Sequence, residues 1–71
     1  MSQLDHRIFM KHFLAAEAVL KAYLLSACGD MNAADELLGE VSSVLWEKFD
    51  RYDSDRPFRN WALGVARLEV L

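Results

Sequence analysis

Apolar residues recur along the first part of the chain at Phe9, Phe13, Ala16, Leu20, Tyr23, Leu24 and Ala27. This three-four spacing marks one face of a helix. It predicts a first helix from about Ser2 to Cys28. Gly29 follows and suits a left-handed C-terminal cap, because it carries no Cβ to clash at positive φ. Asp30 to Asn32 predict a turn, with Asn32 as the N-cap of a second helix. Asp35 and Glu36 then fall in that helix's first turn, where the helix dipole favours negative charge. Leu37, Leu38, Val41, Val44, Leu45 and Phe49 form its buried stripe. The opposite face carries Glu36, Gly39, Glu40, Ser43 and Glu47. A glycine at mid-helix costs ~1 kcal/mol against alanine, and it removes a side chain from whatever that face touches.

The apolar period breaks between Asp50 and Arg56, in the run DRYDSDR. Pro57 has no amide proton and a fixed φ, so it fits the first turn of a third helix. That helix is expected to bury Phe58, Trp61 or Ala62, Val65 and Leu68. No glycine, proline or polar run stops it, and the chain ends at Leu71 still in helical register. The expectation is a fragment of a longer protein with its third helix cut short. No internal repeat or low-complexity segment is present. The fold class is therefore all-α, a compact three-helix domain. Length agrees, since 71 residues make one domain at most. Three glycines and one proline leave little material for the turns of an all-β fold. The core is thin, because a domain of this size buries only roughly 60% of its unfolded surface.

Net charge is −3, which argues against simple nucleic-acid affinity. The charge is uneven, however. Residues 1–50 hold four Lys/Arg against eight Asp/Glu, and residues 51–71 hold four Arg against three acids. The basic residues of the second part are all arginine, which stacks on flat groups and forks onto phosphate. The two parts suit different partners. From Leu45 to Arg67, Trp46, Phe49, Tyr52, Phe58 and Trp61 are interleaved with Arg51, Arg56 and Arg59. Aromatic faces beside guanidinium groups suit the stacking and phosphate contact of single-stranded nucleic acid. They equally suit a helix–helix corner. Arg56, Arg59 and Arg67 are candidate phosphate contacts. Arg67 has Glu69 or Asp50 as alternative partners. Trp61 either packs on helix two near Phe49 or lines a pocket for an unstacked base.

Catalytic chemistry finds no constellation here. His6 and His12 are six apart, off a common helix face, with no cysteine beside them, so no metal site is expected. The serines lack His/Asp partners, and no glycine-rich phosphate loop occurs. Cys28 reads as a small apolar residue rather than a reactive thiol, and a lone cysteine forms no internal disulfide. No catalytic residue and no cofactor is expected. No apolar run approaches the ~18 residues of a membrane span. The N-terminus lacks the pattern of a signal peptide, so a cytoplasmic protein without a membrane role is expected. Asp35, Glu36, Glu40 and Glu47 form an acidic strip with Trp46 as an exposed aromatic at its edge. Such a strip is either a protein-docking surface or a solvated helix face.

Two stretches together resemble one family. The run Ala34-Asp35-Glu36-Leu37-Leu38-Gly39-Glu40-Val41, then Val44-Leu45-Trp46-Glu47-Lys48-Phe49-Asp50, resembles the polymerase-binding segment of extracytoplasmic-function sigma factors. That family typically reads D-A-x-D-L-[VLI]-Q-E-V-F, then L-W-x-K-F-D. The run Arg56-Pro57-Phe58-Arg59-Asn60-Trp61-Ala62-Leu63-Gly64-Val65-Ala66-Arg67 resembles its next segment, F-R-x-W-L-x-x-I-A-R-N. Helix one matches the family's opening helix, with Tyr23 and Gly29-Asp30 in the expected places. The resemblance implies an all-helical sigma region-two domain, a transcription initiation factor rather than an enzyme. It implies docking of the second helix on the clamp-helix coiled coil of the polymerase β′ subunit, through Glu36, Gly39, Glu40, Ser42 and Trp46. It implies a DNA side of Arg56, Arg59, Asn60, Trp61, Leu63 and Arg67, which opens promoter DNA and captures −10 bases of the non-template strand. An anti-sigma factor is a further partner that membership would allow.

The match has departures. Gly39 stands where the family has glutamine, which removes one polymerase hydrogen bond. Glu36 stands for aspartate, Ser42 for phenylalanine, and Leu68 for the asparagine after Ala-Arg. The competing expectation is a small helical protein-interaction module, which uses the acidic strip for another partner and has no DNA role.

Overall fold

A computed structural model describes residues 3–71, so the expected start at Ser2 lies outside the described residues. Three helices follow one another: α1, Gln3–Cys28; α2, Met31–Glu47; and α3, Phe58–Val70. A single 3-10 turn, Phe49–Arg51, sits in the corner between α2 and α3. Each helix packs on the other two. The fold is all-α, as the spacing predicts.

The α1–α2 connection is tighter than the sequence pattern suggests. Gly29 takes φ +70°, and its amide donates to the Leu25 carbonyl at 2.8 Å. The N-cap of α2 is Asp30 rather than Asn32. Its carboxylate accepts the Ala33 amide at 3.2 Å, and its charge complements the positive end of the helix. An aspartate straight after the glycine starts the helix two residues earlier than an Asn32 cap would. Asp35 and Glu36 consequently lie beyond the first turn. At the other end, α2 stops at Glu47, and Phe49 belongs to the 3-10 turn. The tighter turn brings the Phe49 ring to 5.3 Å from Phe9 of α1. Pro57 caps α3 instead of entering its first turn, and its carbonyl accepts the Asn60 amide at 3.1 Å.

The core mixes large and small side chains. Phe9, Phe13, Leu20, Leu24, Val41, Leu45 and Phe58 supply bulk, while Ala16, Ala34, Ala62 and Ala66 let the helices approach closely. No polar or charged side chain is buried among the described residues. On α3 the buried stripe is Phe58, Ala62 and Ala66, spaced by four. Ala62 is the buried member of the Trp61/Ala62 alternative, and Trp61 is half-buried. Leu68, expected inside, is 68% exposed, because it lies on the far side of the helix from that stripe. Ala27 is exposed where α1 approaches its Gly29 cap. Lys21 of α1 pairs with Asp35 of α2 at 3.3 Å, which turns Asp35 away from the acidic strip. Both side chains are about half exposed, so the pair is worth ~0–1 kcal/mol.

Two stability measurements follow from the packing. Phe58→Ala should lower the unfolding free energy by ~3–5 kcal/mol in urea denaturation. Gly39→Ala should raise it by ~0.4–1 kcal/mol, since an added Cβ there meets no heavy atom within 4 Å.

Candidate functional site

The corner between α2 and α3 is held by stacked and edge-on rings. Phe58 contacts Phe9, Phe49, Tyr52 and Trp61, with centroids 5.4–6.4 Å apart. His12 stacks on Phe58 at 5.2 Å and 17°. Trp46 meets Phe9 at 5.3 Å and His6 at 5.1 Å. The two histidines therefore pack against aromatic rings. Sequence reasoning compared them only with each other. Each stands three residues from Phe9, and that spacing is the signal that places them on either side of it. Trp46, expected to be an exposed aromatic, is half-buried by these contacts.

The polar part of the corner is self-organised. Asp53 accepts the Asp55 amide at 3.0 Å through its side chain, an Asx-type turn. Its carbonyl accepts the Arg56 amide at 3.0 Å, and its carboxylate lies 3.9 Å from the Arg56 guanidinium. The Tyr52 hydroxyl donates to the Arg56 carbonyl. Arg56 is thus tied through its amide and its carbonyl, while its side chain stays largely exposed. Nothing in the residue spacing announced the Tyr52 latch.

Arg56, Asn60 and Trp61 converge with Pro57 around one concave site of about 360 Å³. Trp61 forms an aromatic wall, packed on Tyr52 at 5.1 Å and on Phe58 at 5.5 Å. Both ring contacts place it in the corner, against the core. Arg59 lies on the other side of Pro57, lining a separate concavity with His12, Ala15, Ala16 and Phe58. Leu63 is half-buried against the core. Arg67 is exposed, two turns after Asn60 on the same face, and it makes no ion pair with Glu69 or Asp50. The structure thus gathers three of the six expected DNA-side residues into one site and distributes Arg59, Leu63 and Arg67 elsewhere.

On α2, Glu36, Gly39, Glu40, Ser43 and Glu47 are exposed, and Ser42 is half-exposed. Ser42 and Ser43 donate their hydroxyls to the Gly39 carbonyl, at 2.7 and 3.2 Å. Beside them a groove of about 250 Å³ opens between α1 and α2. Its lining includes Phe9, Met10, Phe13 and Trp46. No group of His, Cys, Asp or Glu among the described residues is placed to hold a metal ion. No helix among them is long and apolar enough to cross a membrane.

A three-helix chain with an acidic second helix and an arginine-aromatic corner matches one family model. Residues 12–71 fit the model described as Sigma-70 region 2. The chain belongs to the sigma-70 region 2 family. No curated protein and no solved structure matches it. Sigma region 2 is a domain of transcription initiation factors, with a role in promoter recognition and in binding RNA polymerase. It is not a known enzyme family.

The Tyr52 latch makes a prediction for this sigma domain. Tyr52→Phe keeps the ring contacts and removes the hydrogen bond to Arg56. It should cost ~0.5–1.5 kcal/mol of stability in urea denaturation and leave the tryptophan fluorescence maximum of the folded chain unchanged, because the ring on which Trp61 packs is kept.

Proposed function

We propose that this chain is the region-two domain of an alternative sigma factor of the extracytoplasmic-function type, and that its two surfaces act in sequence. The outer face of α2, with Glu36, Gly39, Glu40, Ser42 and Trp46, docks on the β′ clamp helices of core polymerase. Docking places the corner and α3 against melting promoter DNA. Arg56, Asn60 and Trp61 receive a base of the non-template −10 strand, with Arg59 and Arg67 contacting phosphates on either side. Leu63 supports the DNA-facing side of α3 from its half-buried position.

The observation that carries this reading is the convergence of Arg56, Asn60 and Trp61 on one concave site. Trp61 offers a flat face for stacking, Asn60 both donates and accepts hydrogen bonds, and Arg56 carries a charge held close by. The helix that bears the acidic face is a separate element, so polymerase and DNA need not compete. The isolated domain should hold duplex DNA weakly, because its few basic residues neutralise few phosphates. Selectivity then comes from a base already out of the stack.

Purified β′ clamp helices should retain the wild-type chain, and Glu40→Ala should weaken retention. Glu40→Ala is the cleaner probe, because Trp46→Ala also strips packing from Phe9. In the complex with core polymerase, Trp61→Ala should reduce promoter opening, read by permanganate reactivity of unpaired thymines, by at least ~10-fold. Retention unaffected by Glu40→Ala would favour a helical interaction module with another partner. Unchanged opening in Trp61→Ala would remove Trp61 from the DNA side.

A further inference from the structure

We propose that the groove between α1 and α2 is a specificity socket: it receives one large apolar side chain from a basic helix of the protein that docks on α2. The inference rests on α2 being a docking helix, and it adds which chemistry that helix selects.

The first observation is the fate of the serine hydroxyls. Ser42 and Ser43 both turn onto the Gly39 carbonyl, so their donor hydrogens are taken by the chain's own backbone and only their oxygens can still accept. The remaining lining is dominated by Phe9, Met10, Phe13 and Trp46. A polar group entering here meets only His6 at the edge and the serine oxygens, whereas an apolar group gains buried area against four large side chains.

The second observation is Gly39. It lies on the exposed face, and the space where its Cβ would stand is open to at least 4 Å. Gly39 is one turn before Ser43, and Ser42 one turn before Trp46. Gly39 therefore leaves the surface next to Ser43 without a side chain, on the approach to the groove.

The third observation is charge. Glu36, Glu40 and Glu47 lie within about 40° of one another around α2. All three are exposed, and none makes an ion pair among the described residues. Ser43 sits between this row and the groove. A helix laid along α2 would set Lys or Arg against the row and place an apolar residue three or four positions away over the groove. Charge also rejects competitors. A two-fold pair of this chain through α2 would bring the acid rows together, and an acidic peptide or anionic surface would be repelled.

The test uses the full chain and the purified β′ clamp-helix fragment, with affinity read by calorimetry. Ser42→Met and Ser43→Met each enlarge a side chain that lines the socket and replace a residue by a better helix former. Both should weaken binding at least ~10-fold without lowering the melting temperature. Glu40→Lys reports on the acid row. Loss of binding in Glu40→Lys with wild-type binding in both filled variants overturns the socket and leaves docking by α2 standing. Binding that is indifferent to Glu40→Lys and to both filled variants overturns docking by α2, and the socket with it. A wild-type dimer in light scattering that Ser43→Met dissociates also overturns the proposal, because the occupant is then a second copy.

Discussion

The structure depends on the contact between Phe9 and Phe58. Phe9 comes from the first half of α1, and Phe58 opens α3, yet both are more than nine-tenths buried. Around them the rings of Phe13, Trp46, Phe49 and Tyr52 close the end of the bundle where α2 turns into α3. Each edge-on or offset pair adds ~0.5–1.5 kcal/mol beyond its buried area. In a domain with so thin a core, that end is where cohesion is concentrated. The other end relies on Leu20, Leu24 and small alanines, with the half-exposed Lys21–Asp35 pair at its margin.

This arrangement explains why recognition surfaces can sit on so small a domain. The Trp61 wall borrows its rigidity from Tyr52 and Phe58, which belong to the core network. The backbone of Arg56 borrows its own from Asp53 and Tyr52. A side chain held before its ligand arrives loses less entropy on binding. The same rings that stabilise the corner thus preorganise it, and Trp61 is neither wholly core nor wholly interface. Its inner face packs and its outer face lines the concavity.

The fold was largely legible in the sequence, because the stripe Phe9, Phe13, Ala16, Leu20, Leu24 obeys a clean helical period. The misplacements have local causes. Asn32 lost the cap of α2 because Asp30 offers an equally good side chain earlier. Phe49 left α2 because a 3-10 turn directs its ring to Phe9. Leu68 fell outside because the buried register of α3 runs through Ala62 and Ala66, and alanine signals burial weakly. The site was legible only in part. Arg56 and Trp61 were identifiable as chemistry and Asn60 only through the family resemblance, and their convergence depends on the Pro57 cap and the Tyr52 latch. Those are three-dimensional facts with no period in the sequence.

Gly39 shows how the levels combine. Helix propensity makes it a defect in α2, since alanine would hold the helix better. The defect is tolerated where the surface is open, so folding exerts no demand for glycine at this point. Two neighbouring serines turn their hydroxyl hydrogens onto its carbonyl, beside a groove walled mostly by Phe9, Met10, Phe13 and Trp46. A residue that weakens its own helix, in a position where packing permits any side chain, is best understood by what approaches from outside. The acid row fixes the charge of that visitor, and the Phe9–Trp46 contact gives the groove a firm floor. Thus the aromatic cluster that holds the bundle together also supports the face of α2 proposed for docking.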